Sequence, residues 1–473
     1  MIQLQSYLVD QWQQGTGTQM ALVNPSTEEI NAQTSTEGLD IAAALAYGRK
    51  IGGKNLRSMS FSERGALLTA MANALHEHRE RLIEISRDCN GATRSDSKFD
   101  IDGATATLSS YGRYGSKMGE EFFQLDGSAS RISSNARHIG QHVRLPRPGI
   151  AIHINAFNFP AWGAFEKIAV AFLAGMPVLT KPAPETALLT YEMMKILVES
   201  DILPAGSLSF LAGPPEDLLE HVGPQDVVAF TGSADTAAKL RSMDSIVKNS
   251  TRFNAEADSL NAAILGADVS TDSDIWPRFI GNIVTDITQK AGQKCTAVRR
   301  ILVPESLIED VKEALLERIE GTRIGYPTER GIAMGALASK KQLDSVRAGI
   351  ELFSCKAEVL CGGADPIQGE NAPEGKGFFV QPTIFLAKDS DEELFHSQEI
   401  FGPCTTILPY DGSVSRAMEL MQKGAGSLVT SVYSNKKKWL KELLLESAAW
   451  NGRLFVVSEK VADSALTPGT VLA

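Results

Sequence analysis

The sequence lacks the features of membrane, secreted and nucleic-acid-binding proteins. Its longest apolar run, Ile168 to Thr180, has 13 residues, well short of the ~20 that a membrane-spanning helix needs. No basic stretch followed by an apolar core opens the chain, so we expect no secretory signal. Acidic residues outnumber basic ones by 57 to 46, the net charge is -11, and no basic stripe is present for nucleic acid. We therefore expect a cytoplasmic protein that binds neither membrane nor nucleic acid.

Cysteine is scarce and dispersed. The five cysteines lie at positions 89, 295, 355, 361 and 404, and an odd number at such wide spacing argues against a disulfide framework and indicates a reducing compartment. Only Cys355 and Cys361 are close in sequence, and neither a CxxC pair nor a cluster of histidines accompanies them. We therefore predict no metal site.

Alternating strand and helix patterns are what the sequence does contain. With 473 residues, 43% of them apolar, the chain is expected to form two or three globular domains. Ser62 to Ile85 has the apolar stripe of one amphipathic helix. Further on, strands and helices alternate at the interval that predicts an α/β fold with a parallel sheet: a strand at Ile150 to Ile154, a helix at Trp162 to Ala174, a strand at Pro177 to Thr180, a helix at Leu188 to Ser200 and a strand at Ser207 to Ala212.

A second α/β unit is predicted after about residue 260, where helices at Leu307 to Ile319 and Lys340 to Phe353 continue the alternation. Residues 363–377, rich in Gly and Pro, are predicted to form a surface loop. The segment from Asp126 to Pro148 lacks helical periodicity, which favours an extended arm or hairpin; it carries Arg131, Arg137, Arg144 and Arg147.

No G-x-G-x-x-G follows a predicted strand, so the ordinary dinucleotide fingerprint is missing and another phosphate cradle is needed. Gly232 and Ser233 follow the predicted strand Val227 to Phe230 and precede a helix from Ala234 to Leu240, where free amides and a hydroxyl could meet an anion. A plain helix N-cap is the alternative. Lys181 comes immediately after the predicted strand Pro177 to Thr180 and could reach a ribose or phosphate, or be an ordinary solvated lysine.

Three further residues could react with a substrate. Cys295, in GQKCTA, is predicted at a junction of loop and helix, where helix amides and Lys294 would favour a thiolate; an inert buried cysteine is the alternative. Glu256, between apolar stretches, could be a general base or a solvated loop acid. Asn158 follows a strand end and could donate to an oxyanion or simply form a turn beside Pro160.

Taken in order, these residues and the run Glu399 to Pro403 resemble the aldehyde dehydrogenase superfamily over roughly residues 20 to 460. The segments INAFNFPAWG, EADSLN and GQKCTAVRR are similar to one branch. That branch contains the aldehyde dehydrogenase part of the bacterial phenylacetate ring-opening enzyme and the semialdehyde dehydrogenase of the benzoyl-coenzyme A pathway.

The resemblance implies a role for each matching residue. Cys295 would be the nucleophile, Glu256 the base that activates water, and Asn158 an oxyanion donor together with the Cys295 amide. The resemblance also implies a set of residues that bind the nicotinamide cofactor, namely Lys181, Gly232, Ser233, Glu399, Phe401 and Phe157. Three features depart from the family's common pattern: Ala257-Asp258-Ser259 follows the glutamate in place of Leu-Gly-Gly, Phe157 replaces Trp, and Ala237 replaces Gly.

The expected activity is NADP-dependent oxidation of an aldehyde to a carboxylic acid, the aldehyde being a coenzyme A-linked semialdehyde from aromatic ring cleavage. NADP is expected rather than NAD because Pro184 stands where NAD-preferring relatives have a Glu that binds the ribose hydroxyls. A general dehydrogenase of small free aldehydes is the alternative. A second alternative is a catalytically silent binding or scaffold protein. The presence of the thiol, the carboxylate and the amide together argues against this alternative.

The same resemblance implies a Rossmann-type parallel-sheet cofactor domain, a second α/β catalytic domain and a β-arm that joins subunits of a homo-oligomer, expected to be a homodimer. We expect residues 1–125 and 148–258 in the NADP-binding domain, 259–450 in the catalytic domain, and 126–147 in the oligomerisation arm. Residues 451–473 would form a return segment, which we expect to be truncated because the relatives continue.

Overall fold

Two seven-stranded sheets organise the chain. The computed structural model describes residues 1–214, 216–328, 330–463 and 466–468. The strands of this part of the chain are β1 (Ile2–Gln3), β2 (Ser6–Leu8), β3 (Gln11–Gln13), β4 (Met20–Val23), β5 (Ile30–Thr34), β6 (Gln124–Arg131), β7 (Ile139–Arg144), β8 (Ala151–Ile154), β9 (Val178–Lys181), β10 (Leu208–Phe210), β11 (Val227–Gly232), β12 (Arg252–Ala257), β13 (Ala262–Leu265), β14 (Arg300–Pro304), β15 (Ala357–Cys361), β16 (Thr383–Ala387), β17 (Cys404–Tyr410), β18 (Ser427–Tyr433) and β19 (Asn451–Val457).

Helices cover both faces of these sheets. They are α1 (Ile41–Tyr47), α2 (Gly53–Arg57), α3 (Phe61–Glu77), α4 (Arg79–Asn90), α5 (Arg94–Met118), α6 (Trp162–Leu173), α7 (Ala187–Glu199), α8 (Ala234–Arg241), α9 (Asp244–Lys248), α10 (Ile275–Thr288), α11 (Ile308–Glu320), α12 (Lys340–Ser354), α13 (Leu394–Ser397), α14 (Val414–Gln422) and α15 (Lys437–Ser447). No helix in the described ranges is long and apolar enough to cross a membrane.

The first large sheet has the strand order β12-β11-β8-β9-β10-β2-β3. Strands β8 to β12 are parallel, and β2 and β3 add an antiparallel edge. All four residues of β8 and of β9 are buried, as expected for strands covered on both faces. The register sets Ile154 beside Lys181, Thr231 beside Glu256 and Gly232 beside Ala257. Three predicted site residues, Lys181, Gly232 and Glu256, therefore lie at the carboxyl end of one sheet.

The second large sheet has the order β15-β16-β17-β14-β13-β18-β19. Its strands are parallel except β15, which runs antiparallel to β16. The predicted return segment begins with β19, which pairs with β18 at the edge of this sheet. Residues 464, 465 and 469–473 of that segment lie outside the described residues.

The predicted elements of the first sheet are confirmed to within two residues, as are the helices α11 and α12. Residues 363–377 form the predicted loop, whose one ladder contact is an isolated bridge between Gly325 and Glu370. The single helix predicted over Ser62 to Ile85 is wrong. It is two helices, α3 and α4, because His78 leaves the helical region with φ -101° and ψ 13°.

The segment predicted as an arm or hairpin is an antiparallel hairpin of β6 and β7. Every residue of β6 is exposed. Apolar side chains of the hairpin and of the residue that follows it are exposed to solvent, among them Leu125, Ile139 and Leu145 at 56%, 62% and 67% exposure. Arg144 pairs with Asp126 across the hairpin at 2.9 Å, and Arg147 donates to Pro224 O and Gln225 O. A two-stranded hairpin of this kind has little stability by itself.

Candidate active site

Cys295 lies in the loop of residues 289–299, here called the cysteine loop, which joins α10 to β14. Lys290, Ala291 and Gly292 all have left-handed backbones, with φ values of 53°, 51° and 68°. Cys295 itself sits in a turn and not at a helix start. The predicted helix after Cys295 is therefore wrong. The left-handed residues 290–292 end the helical path of the chain, and residues 293–299 form a turn and an irregular segment that lead into β14.

Lys294 does not direct its charge towards the Cys295 thiol, contrary to the prediction from the sequence. Its Nζ is 2.7 Å from Asp286 Oδ1 and 2.9 Å from Gln289 Oε1, and the side chain is buried. Burial, and then the neighbouring Glu256 carboxylate, raise the pKa of the Cys295 thiol. The expectation that Lys294 and helix amides favour a thiolate is wrong, because Lys294 pairs with Asp286 and the surroundings of Cys295 raise the pKa of its thiol.

Glu256 occupies strand β12 and not a loop. Its partner across the ladder is Thr231 of β11, and its side chain is half-buried. A cleft of about 430 Å³ opens beside it and is lined by polar groups that include Tyr111, His153 and Asn254. The carboxylate thus lies between the Cys295 thiol and a cleft large enough to hold water.

A second carboxylate shares this cleft. Glu166, on α6, lines it together with Lys167, whose Nζ donates to Gly163 O at 2.9 Å and lies 3.4 Å from Glu166 Oε1. Burial raises the pKa of Glu166 against the opposing charge of Lys167, and Glu256 adds to the increase. The sequence analysis missed both residues. A Glu-Lys pair inside an otherwise apolar helix was the available signal.

Asn158 lies between β8 and α6 and is buried. A small cavity of about 10 Å³ is lined by both Asn158 and residues of the cysteine loop, including Ala291 and Gln293. Two buried interactions hold its segment in place. Asp100 of α5 accepts from Trp162 N at 2.7 Å and from Ala161 N at 3.3 Å at the start of α6, which satisfies donors that the helix start leaves free.

Asn261 fixes the backbone around the cysteine. Its Nδ2 donates to Cys295 O at 2.8 Å and to Ala297 O at 2.9 Å, and its Oδ1 accepts from Ser259 Oγ at 2.8 Å. Asp258 stands where the family pattern has a glycine, and its backbone is left-handed with φ 28°. Neither Asn261 nor its bonding to the cysteine loop was predicted from the sequence.

Lys181 and Ser233 lie at the carboxyl edge of the first sheet. Lys181 ends β9 with its side chain buried, and this burial lowers its pKa to about 8. Its carbonyl accepts from Asn155 N at 2.9 Å. Ser233 is the exposed N-cap of α8, its hydroxyl accepting from Thr236 N at 3.4 Å, and Gly232 ends the preceding strand β11. The structure therefore shows the helix N-cap at Ser233, and an anion site at the same residues stays a prediction.

Glu399, Phe401 and Phe157 come together on the other side of the site. The rings of Phe157 and Phe401 meet edge to face with centroids 5.8 Å apart. Glu399 Oε1 accepts from Arg299 Nε at 2.9 Å and its Oε2 accepts from Ser259 N at 3.1 Å. Burial raises the pKa of the Glu399 carboxyl, and Arg299 opposes that increase. Arg299 was missed because nothing in its local sequence marks it.

The structure brings several predicted site residues together: Cys295 lies beside Glu256, Asn158 shares a cavity with the cysteine loop, and Phe157 packs against Phe401. The other predicted cofactor residues of the first sheet lie at its carboxyl edge, namely Lys181, Gly232 and Ser233. Among the described residues, no group of three or more His, Cys, Asp and Glu could hold a metal ion.

Known proteins with the same sequence pattern and fold are aldehyde dehydrogenases. The model of the Aldehyde dehydrogenase family matches residues 12–452. The chain is 39% identical over 472 residues to 3,4-dehydroadipyl-CoA semialdehyde dehydrogenase of Aromatoleum evansii, covering 100% of this chain and 92% of that protein. It is 30% identical over 390 residues to phenylacetaldehyde dehydrogenase of Pseudomonas fluorescens, covering 80% and 73%.

Solved structures agree on the fold. Betaine aldehyde dehydrogenase of Staphylococcus aureus in complex with NAD+ superposes with a TM-score of 0.84 at 21% identity, over 96% of this chain and 86% of that one. A 3,6-anhydro-L-galactose dehydrogenase also superposes with a TM-score of 0.84 at 21% identity, over 96% and 91%. The resemblance and the α/β fold predicted from the sequence are confirmed, and the chain belongs to the aldehyde dehydrogenase family.

Proposed function

We propose that this aldehyde dehydrogenase oxidises a coenzyme A-linked semialdehyde from aromatic ring cleavage, with NADP as the cofactor. The observation that carries the reaction type is the grouping of Cys295, Glu256 and Asn158 in one region. Support for the substrate comes from the relative that covers the whole chain at 39% identity, whose name specifies a CoA-linked semialdehyde.

The residues present fit a nicotinamide cofactor. A buried lysine amine, Lys181, ends a parallel strand without a carboxylate in direct hydrogen-bonding contact among the described residues, and the exposed Ser233 caps a helix start. Lys181 would bind the adenosine ribose and its 2′-phosphate, Gly232 and Ser233 the pyrophosphate, and Glu399 the nicotinamide ribose, with Phe401 and Phe157 beside the ring. The cofactor, when bound, supplies the acceptor for the hydride.

The side chains of this chain perform the remaining steps. The Cys295 thiol gives its proton to solvent water, and the resulting thiolate adds to the aldehyde carbon. The oxyanion so formed accepts from the Asn158 amide and the Cys295 backbone N–H. Loss of hydride leaves a thioester on Cys295. Glu256 then removes a proton from water, which attacks the thioester carbon and releases the carboxylic acid and the thiol. Glu166 lines the same cleft as Glu256, so a second carboxyl group is near Glu256 when it takes up this proton.

We propose the same domain boundaries and domain roles that the sequence predicts. Residues 1–125 and 148–258 form the NADP-binding domain, 259–450 carry the thiol, and the hairpin within 126–147 joins subunits in a homodimer. The exposed apolar side chains of the hairpin support the last point, because a partner would remove them from water. A cytoplasmic location stays a prediction from the cysteine pattern.

Steady-state rates on matched aldehydes test the substrate. We expect kcat/KM with a CoA-linked semialdehyde to exceed that with a free aldehyde of equal chain length by at least about tenfold, since binding energy from the remote part of a substrate can stabilise the transition state. Each substrate is measured with NADP and with NAD. Equal values for the two aldehydes would instead support a general dehydrogenase of small free aldehydes.

A further inference from the structure

Arg299 is buried at the meeting point of three segments of the active site. Its side chain is 4% exposed, and each of its guanidinium nitrogens has an acceptor. Nε donates to Glu399 Oε1 at 2.9 Å and Nη1 to Gly402 O at 2.8 Å. Nη2 donates to Gly292 O at 3.0 Å and Lys294 O at 3.3 Å, both in the cysteine loop.

Glu399 extends this connection to the segment that carries Glu256. Its second oxygen accepts from Ser259 N, three residues beyond Glu256. The Arg299 guanidinium also lies over the ring of Phe401, 5.4 Å from its centroid, within the range of a cation–π contact. One arginine therefore fixes a carboxylate, an aromatic ring and two carbonyls of the cysteine loop.

These contacts explain why the residue is an arginine. The guanidinium has five donors in a planar fork, whereas a lysine ammonium is a single point of donation that could not reach all four acceptors at once. A buried carboxylate without a partner would lose its charge, and the adjacent guanidinium opposes that loss at Glu399. Each oxygen of Glu399 still has a lone pair with which to accept from a ribose hydroxyl.

We infer that Arg299 is a positioning residue, which keeps Glu399 oriented for the nicotinamide ribose and ties that carboxylate to the cysteine loop. The inference rests on the proposed role of Glu399 in cofactor binding. Arg299 touches neither substrate nor reacting atoms in this scheme. Its effect falls on the nicotinamide half of the cofactor, while the adenosine half is held at Lys181, on the first sheet.

The neighbouring arginine provides a matched control. Arg300 is also buried, but its guanidinium donates to the carbonyls of Leu260, Leu420 and Met421 and contacts His396. Among the residues that the structure describes, its guanidinium bonds neither to Glu399 nor to the cysteine loop. Arg300→Lys thus removes buried arginine bonds of similar kind without altering the carboxylate that is expected to bind ribose.

The test compares two ligands in binding titrations of the folded variants. NADP contains the nicotinamide ribose, whereas 2′,5′-ADP contains only the adenosine half. We expect Arg299→Met to weaken NADP binding by at least about tenfold, equivalent to ~1.4 kcal/mol, and to leave 2′,5′-ADP binding within about twofold of the parent. Arg299→Lys should fall between the two, and Arg300→Lys should change neither affinity, even if it lowers the melting temperature.

Glu399→Gln approaches the same pair from the other side and preserves its size. In the double variant Arg299→Met/Glu399→Gln, the loss of NADP affinity should be no greater than in the more damaged single variant, because one residue acts through the other. Losses that multiply, or an equal loss of both ligands in Arg299→Met, would overturn the inference. If the parent protein binds neither NADP nor NAD, the proposed function itself fails, which is a separate result.

Discussion

Lys290 Nζ lies 3.9 Å from Asp100 Oδ2, with both side chains shielded from solvent. The same ammonium lies 4.5 Å from the centroid of the Phe159 ring. Lys290 belongs to the cysteine loop, whereas Asp100 holds the start of α6 next to Asn158. This buried pair therefore links the segment that carries the thiol to the segment that carries the oxyanion donor.

Breaking this pair from one side is expected to be more harmful than removing it. Asp100→Asn keeps an acceptor for the α6 amides but leaves the buried Lys290 cation with only Asp96 and the Phe159 ring to offset its charge, which should lower the free energy of unfolding by about 2 kcal/mol. The double variant with Lys290→Met should recover part of this loss in urea unfolding. Strictly additive losses would show that the two residues do not interact energetically.

The raised pKa of the Cys295 thiol, caused by burial and then by Glu256, leads to a prediction about alkylation. Glu256 raises the pKa of this thiol, so Glu256→Gln should lower that pKa and increase the fraction of thiolate at neutral pH. Each unit by which the pKa falls gives about tenfold more thiolate, and iodoacetamide should label Cys295 correspondingly faster in the variant. Labelling is measured peptide by peptide in ligand-free protein across pH 7 to pH 10, a range about the ordinary thiol pKa.

The exposed Cys355 is the internal control for that experiment. Its labelling rate should be the same in the parent and in Glu256→Gln, since the substitution is not close to it. A rate at Cys295 that stays unchanged or decreases in the variant would contradict the charge effect described above.

Glu256 is predicted to act after hydride transfer. In Glu256→Gln, rapid mixing of cofactor and aldehyde should give a burst of about one equivalent of reduced cofactor per active site, followed by a very slow phase. Intact mass should then show an acyl adduct, which Cys295→Ala should not form. Disappearance of the burst would assign Glu256 to the activation of the thiol instead.

The choice of cofactor should depend on pH through Lys181. Burial lowers the pKa of Lys181 to about 8, so the amine is charged below that pH and neutral above it. As the pH rises through 8, the attraction for a 2′-phosphate disappears, and KM for NADP should rise more steeply than KM for NAD. Lys181→Met should abolish this difference and weaken NADP binding far more than NAD binding. Equal or better kcat/KM with NAD in the parent would contradict NADP preference.

The sequence predicted the first sheet well because its strands are buried on both faces and its connections are short. Residues 151–154 (AIHI) and 178–181 (VLTK) are short, fully buried runs that are mostly apolar in the first three or four residues around each strand start, and local patterns of this kind are retained in the fold. The positions of Asn158 and Lys181 followed directly, because parallel strands end at one edge.

The cysteine loop shows where such reasoning stops. Left-handed backbones at Lys290 and Ala291 are not encoded in residue propensities, so a helix was expected where the chain turns into a strand. The partners of charged residues are also distant or non-obvious. Lys294 pairs with Asp286 on the preceding helix, and Arg299 pairs with Glu399, 100 residues away.

The raised pKa of the Cys295 thiol has a consequence for the durability of the enzyme. Peroxides attack thiolates, and sulfenic and sulfinic acids form far more slowly on a neutral, shielded sulfur. Between turnovers Cys295 combines partial burial with a neighbouring carboxylate. Cys295 should therefore be oxidised by peroxide more slowly than a solvent-exposed thiolate would be, which helps the protein to keep its activity under oxidative stress.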